Sequence, residues 1–218
     1  MRIELTNRPA FTDGRARRLS ASLKKNFSVS LDRIAIVEVY LVTGETGITA
    51  CEIEEAFVDH VAQDYRVDQP VALDLPGWRY LVETAYRPGV TDPVAATARE
   101  ALENLLGRAL ATGARVQSAR QYLFFCPPLD ETARAYVFNS LYNPLIETAI
   151  VLDQAVWTAG TRPPAEYESV HTHAPAPVQS FNFDVMDDAA LAAFSKDKLL
   201  ALSVPEMRAV QARFRNKA

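Results

Sequence analysis

Few side chains in this chain have the types and spacing that chemistry needs, and each has a plain structural account as well. His171 and His173 could chelate a divalent metal, but they fall in a proline-rich linker, which favours no fixed ligand set. Ser22 and Lys25 fit the S-x-x-K pattern of some acyl-transfer enzymes, yet the companion motifs are missing and Ser22 falls on a surface helix. His60 ends a helical pattern, where an imidazolium would suit the helix dipole. Glu83, Arg87 and Asp92 could form a polar cluster, but a strand-edge ion pair plus a helix cap is the favoured account of them. Arg15, Arg17, Arg18, Lys24 and Lys25 share one helix face, which would attract an anion or simply face water. Neither standard phosphate cradle, G-x-G-x-x-G or G-x-x-x-x-G-K-[ST], occurs. Asn26-Phe27-Ser28 is a glycosylation sequon on paper only, given the cytoplasmic setting expected below. The residues therefore assign no catalytic, cofactor-binding or metal-ligating side chain.

The elements that would position such groups are easier to read. Residues 81–86 form a strand, 87–91 a turn, and Asp92 caps a helix that opens with Pro93. Val94, Ala98, Ala101, Leu102, Leu105 and Leu106 continue it as one apolar stripe. The same phrase occurs earlier: Arg8-Pro9-Ala10-Phe11-Thr12-Asp13 matches Arg87-Pro88-Gly89-Val90-Thr91-Asp92. This correspondence predicts two tandem repeats, each running strand, helix, long strand, helix, strand, in an α+β fold with antiparallel sheets. The long strands fall at 34–43 and 115–125. In the first copy the helices are 14–27 and a capping-box helix begun by Thr49 and Glu52. In the second copy they are about 92–110 and 129–141, the latter burying Leu129, Ala133, Tyr136 and Val137. A small sheet with helices on one face cannot bury its other face alone, and pairing two copies is expected to solve that.

The predicted organisation is a first repeat at 1–68, a connector at 69–79 and a second repeat at 80–157. A proline-rich linker at 158–188 and a helical segment at 189–218 follow. The helical segment has short pieces at 189–194 and 198–202, then a helix capped by Ser203 and Glu206 with Met207, Val210 and Phe214 on one face. Half of the 218 residues are apolar and the net charge is −4, which leaves no electrostatic footprint for nucleic acid or an anionic membrane. No apolar run approaches the ~20 residues that span a bilayer. Cys51 and Cys126, with no motif spacing and no apolar leader at the N-terminus, predict reduced thiols and a cytoplasmic setting.

The stretch Tyr86-Arg87-Pro88-Gly89-Val90-Thr91-Asp92-Pro93 resembles the small PurS subunit of phosphoribosylformylglycinamidine synthase and the PurS-like N-terminal region of the large, fused synthase. Asn143-Pro144-Leu145-Ile146-Glu147 is similar to the family's segment before its last strand. The run from Leu202 to Gln211 resembles the helix in the synthase linker. The first copy departs from the pattern at Ala10, Gly14 and His60. The resemblance implies a non-catalytic scaffold that organises the synthetase and glutaminase parts of the enzyme. That enzyme amidates formylglycinamide ribonucleotide with ATP, magnesium and glutamine-derived ammonia, in purine biosynthesis. ATP and magnesium chemistry is then expected outside these 218 residues, and no catalytic residue is carried over. A metabolite-binding regulatory α+β module is the alternative, and it predicts a polar pocket between the two repeats. A free-standing subunit joining separate chains is disfavoured by the linker helix.

Overall fold

A computed structural model describes residues 1–27, 29–168, 180–183 and 185–215. The chain divides into two compact units, Met1–Val170 and His171–Ala218. The first unit is α+β. Its elements run β1 (Arg2–Asn7), α1 (Gly14–Phe27), β2 (Arg33–Thr43), α2 (Ala50–Phe57) and β3 (Gln63–Val67). After a short 3-10 turn at Val71–Leu73 come β4 (Tyr80–Tyr86), α3 (Pro93–Leu106), β5 (Arg115–Phe125), α4 (Glu131–Asn139), β6 (Glu147–Asp153) and α5 (Gln154–Thr158).

One six-stranded sheet holds them all, in the order β3-β1-β2-β5-β4-β6, and every pairing is antiparallel. The two long strands, β2 and β5, are central and pair along their whole length from Arg33↔Phe125 to Thr43↔Arg115. Each half thus has the same element order and the same local pairing, short strand between long strand and edge strand.

Strand alternation divides the core between the two faces of the sheet. On one face Ile34, Ile36, Tyr80, Val82, Tyr122 and Phe124 are buried with Leu23 of α1 and with Val137 and Phe138 of α4. Ile3 and Leu5 pack with Ile53 of α2, and Val42 packs with Leu102 of α3. On the other face lie Val37, Val39, Leu41, Leu81, Leu123 and Leu152. Pairing the halves lengthens the sheet edge to edge, so it does not cover this second face as anticipated. The connector, α5 and the start of the proline-rich segment cover it instead, through Val71, Ala72, Trp78, Trp157 and Tyr167. Trp78 and Trp157 meet edge to face at 5.3 Å.

Several boundaries differ from the expected ones for local reasons. Asp130 caps α4, so Leu129 precedes that helix, and its buried face is Val137 and Phe138. Tyr136 turns outward and stacks on Phe27 at 6.0 Å. Gly107, in the left-handed conformation, ends α3 at Leu106. Residues 159–168 are not a free linker: Arg2 donates to the Pro164 carbonyl (3.0 Å), and Gln117 bonds both the N–H and the C=O of Tyr167 (3.1 and 2.9 Å).

The second unit contains α6 (Asp188–Asp197) and α7 (Val204–Arg215). No helix forms at 198–202, where Leu199 and Ala201 take positive φ angles of 53° and 54°. Of the expected cap, the Glu206 half forms: its carboxylate accepts from the N–H and the hydroxyl of Ser203 at 2.8 and 2.6 Å. Met207 is buried, but its deep neighbour is Gln211, which donates to the Met186 carbonyl at 3.0 Å; Phe214 is exposed. Among the described residues no helix is long and apolar enough to cross a membrane.

Candidate functional site

The repeated Arg-Pro phrase becomes the same corner in both halves. In each, a short strand ends, the chain turns, and an aspartate opens the first helix. Asp92 accepts from the Ala95 N–H at 2.8 Å and also from the N–H and hydroxyl of Ser118 on β5, at 2.8 and 2.9 Å. Asp13 accepts from the N–H groups of Arg15 and Ala16 at 2.8 and 3.4 Å and from the Arg15 guanidinium at 3.0 Å. Burial opposes the Asp13 charge, and the Arg15 hydrogen bonds outweigh it, so the carboxyl sits below its ordinary range.

Each corner borders a cavity. One of about 510 Å³ lies between loop 8–13, α1 and the start of β2, with Arg17, Lys24, Arg33, Asp13 and Asp32 at its polar rim and Phe11, Ile36 and Leu75 among its apolar walls. A smaller one of about 210 Å³ lies at the matching place, between loop 87–92 and the start of β5. A third, about 440 Å³, flanks loop 8–13 on its other side and includes His60, Asp64, Tyr65 and Arg66.

The second polar feature was not legible in the sequence. Beneath the second face of the sheet, Arg2, Glu4, Glu83, Gln121 and Tyr167 form one buried network. Glu4 is 1% exposed, and Glu83 and Gln121 are 0% exposed. Arg2 pairs with Glu4 at 2.6 Å and with both oxygens of Glu83. The Gln121 amide N–H groups reach Glu4 (3.1 Å) and Glu83 (2.8 Å). Two acidic acceptors thereby fix the amide orientation, and the Gln121 Oε1 turns away without a hydrogen-bond partner among the described residues. The Val71 N–H caps the remaining Glu4 oxygen at 2.8 Å, and the Tyr167 hydroxyl donates to Glu83 at 2.5 Å. Burial first, and then the Glu83 charge, push the Tyr167 phenol far above its ordinary range, so it acts as a donor and not as a base. Its chemistry is cohesion: it joins β1, β4, β5, the connector and the segment around 164–167. One signal could have found it. Glu4, Glu83 and Gln121 interrupt otherwise apolar strands, and charge in a buried strand requires a partner.

The candidate residues from the sequence fare variously. Glu83, Arg87 and Asp92 do not form a cluster: Glu83 belongs to the buried network, Arg87 donates to the Glu147 carbonyl (3.0 Å), and Asp92 caps α3. His60 lies in an exposed turn beyond α2, which ends at Phe57, so it does not end that helix as expected. Ser22 is exposed and accepts a hydrogen bond from Asn26 (3.2 Å). On the basic face of α1, Arg15 pairs with Asp13 and Glu38, while Arg17, Arg18, Lys24 and Lys25 are exposed. His171 and His173 lie outside the described residues, as does Ser28 of the sequon. Cys51 is exposed; burial pushes the half-buried Cys126 thiol up. Among the described residues no three His, Cys, Asp or Glu side chains gather as a metal-holding set, and no step is assigned to a metal or to ATP.

No family model matches this chain, and no curated protein matches it either.

Proposed function

We propose that this chain is the PurS-like N-terminal scaffold of phosphoribosylformylglycinamidine synthase, together with part of its linker, working in the cytoplasm. It would hold the synthetase and glutaminase parts of the enzyme in the arrangement that glutamine-derived ammonia transfer needs. ATP and magnesium would act on those parts and not here. The observation that carries this proposal is the repeated corner. The two Arg-Pro phrases stand at matching places of a continuous sheet, and each aspartate receives the first backbone N–H groups of its helix. Two such halves joined through their long strands suit a rigid spacer better than a catalytic cleft.

The test is complementation in trans. This chain is supplied to a synthase lacking its N-terminal region, and amidine formation is followed with glutamine and, separately, with ammonia. Restoration of the glutamine-dependent rate alone supports the scaffold. Failure both to bind and to restore turnover removes it.

The cavities of about 510 and 440 Å³ flanking loop 8–13 favour the second proposal, a metabolite-sensing module. They lie beside the first half and not between the two halves. A saturable rise in melting temperature with one metabolite, combined with failed complementation, would select it.

A further inference from the structure

Strand β6 is an edge strand, paired with β4 on one side and with no strand on the other among the described residues. Two flanking bonds reveal where its backbone groups point. Arg87 N–H donates to the Ile146 carbonyl (2.9 Å), and Gln154 N–H donates to the Arg79 carbonyl (3.2 Å). Both bonds keep the register of the β4–β6 ladder, and hydrogen-bonded pairs alternate along an antiparallel ladder. Thr148, Ile150 and Leu152 therefore turn their N–H and C=O groups toward β4. Glu147, Ala149, Val151 and Asp153 turn theirs outward. The ends of this outer row are taken. Glu147 N–H donates to Asn143 (2.8 Å), its carbonyl accepts from Arg87 (3.0 Å), and Asp153 opens α5. Ala149 and Val151 remain, presenting donors and acceptors at an open edge.

The surroundings match. Leu145, Ile146, Val151 and Val156 are 84%, 40%, 46% and 39% exposed, all within twelve residues of chain. The middle of β6 is Thr148-Ala149-Ile150-Val151-Leu152, with no lysine, proline or charge to deter pairing. The opposite edge, β3, is defended: Asp64 and Arg66 are exposed and ion-paired to Arg8 and Asp74.

We propose that the outer edge of β6 docks an extended strand of a partner protein, one with an apolar β-branched middle flanked by lysine or arginine. Charge decides the occupant. Residues 143–161 include Glu147 and Asp153 but no lysine or arginine. A second copy pairing antiparallel about Ile150 would set Glu147 against Asp153 at both ends, which is unfavourable in direct cross-strand pairs. A strand with basic ends neutralises both carboxylates, while its backbone meets Ala149 and Val151. This proposal stands whether or not the synthase assignment holds.

The test uses the full chain and the labelled peptide Lys-Val-Thr-Val-Thr-Val-Lys, with a glutamate-ended peptide of the same middle as control. Binding is followed by anisotropy, and the Ala149 and Val151 amides by hydrogen exchange. Expected are saturable binding, protection of those two amides, and at least tenfold weaker binding of the acidic peptide. Val151→Pro removes an outward N–H and leaves the β4 ladder whole, so it should weaken binding at least tenfold with an unchanged circular dichroism spectrum. Val151→Lys, which keeps the backbone donor and decides the matter if the proline variant misfolds, should shift preference toward the acidic peptide. The proposal falls if the basic peptide does not bind, if the two peptides bind alike, or if a folded Val151→Pro binds as wild type. It also falls if sedimentation shows a wild-type dimer that Val151→Pro abolishes, for then the occupant is a second copy.

Discussion

Asp92 and Asp13 hold equivalent corners but carry different loads. Asp92 satisfies the α3 N-terminus and two groups of Ser118 on β5, 26 residues away in the chain. Asp92→Ala should lose about 1 kcal/mol for the cap and a further ~1–2 kcal/mol for the stranded Ser118 N–H. Urea unfolding should show a larger loss than for Asp13→Ala, at ~1 kcal/mol. Asp13 should in turn show in the pH dependence. Its folded carboxyl is depressed by Arg15 against the opposing effect of burial. The stability it contributes is therefore complete above its unfolded pKa of about 4 and is lost as pH falls through the lower folded value. Asp13→Asn should flatten the stability profile below about pH 4 relative to wild type. Both aspartates were legible as caps, because a cap is a local matter of residue type and the next three N–H groups. The Ser118 partner was not, since strand register brings it there. Glu83 shows the same limit: its neighbours in sequence suggested Arg87, and the sheet supplies Arg2 from β1, two strands beyond its neighbours.

At the scale of elements, the strong periodic segments were legible almost to the residue. β5 and α1 have the expected bounds, since β-branched and aromatic runs or a capped apolar stripe speak for themselves. What was lost were features that depend on contact at a distance. The phase of α4 is set by Asp130 and by packing of Val137 and Phe138 on the sheet, not by its weakly periodic sequence. The Arg2 contact to Pro164 and the burial of Tyr167 organise a proline-rich stretch that composition alone marks as a linker. Gly44 illustrates a tight connection between halves. It has φ of 73°, and an added Cβ would stand 3.1 Å from the Ala114 Cα and 3.2 Å from the Gly113 carbonyl oxygen. Gly44→Ala should cost about 2 kcal/mol from the left-handed conformation alone, and close approach adds to it. Gly47→Ala, with comparable φ and nothing within 4 Å, is the control that isolates the approach. Thermal unfolding of both variants should rank Gly44→Ala lower.

For the first unit as a whole, the buried network is the joint that spans the most chain. Removing its only cation by Arg2→Met leaves Glu4 and Glu83 buried side by side and should cost about 3–5 kcal/mol. Tyr167→Phe deletes one donor to Glu83 and should cost about 1–2 kcal/mol, with faster proteolysis around residues 159–168. The double variant tests whether the network acts as a unit: a coupling of at least 0.5 kcal/mol is expected, and simple additivity would refute it. The same joint has a consequence for how this protein is made. Arg2 leaves the ribosome well before Pro164, to which it bonds and which follows 162 positions later. At roughly 5–20 residues per second that is an interval of about 10–30 s. Throughout it, Glu4 and Arg2 must wait without Tyr167 and the covered sheet face. The nascent chain is thus exposed to chaperones and proteases until its final strap is translated, and slow codons ahead of residue 164 would lengthen that vulnerable window.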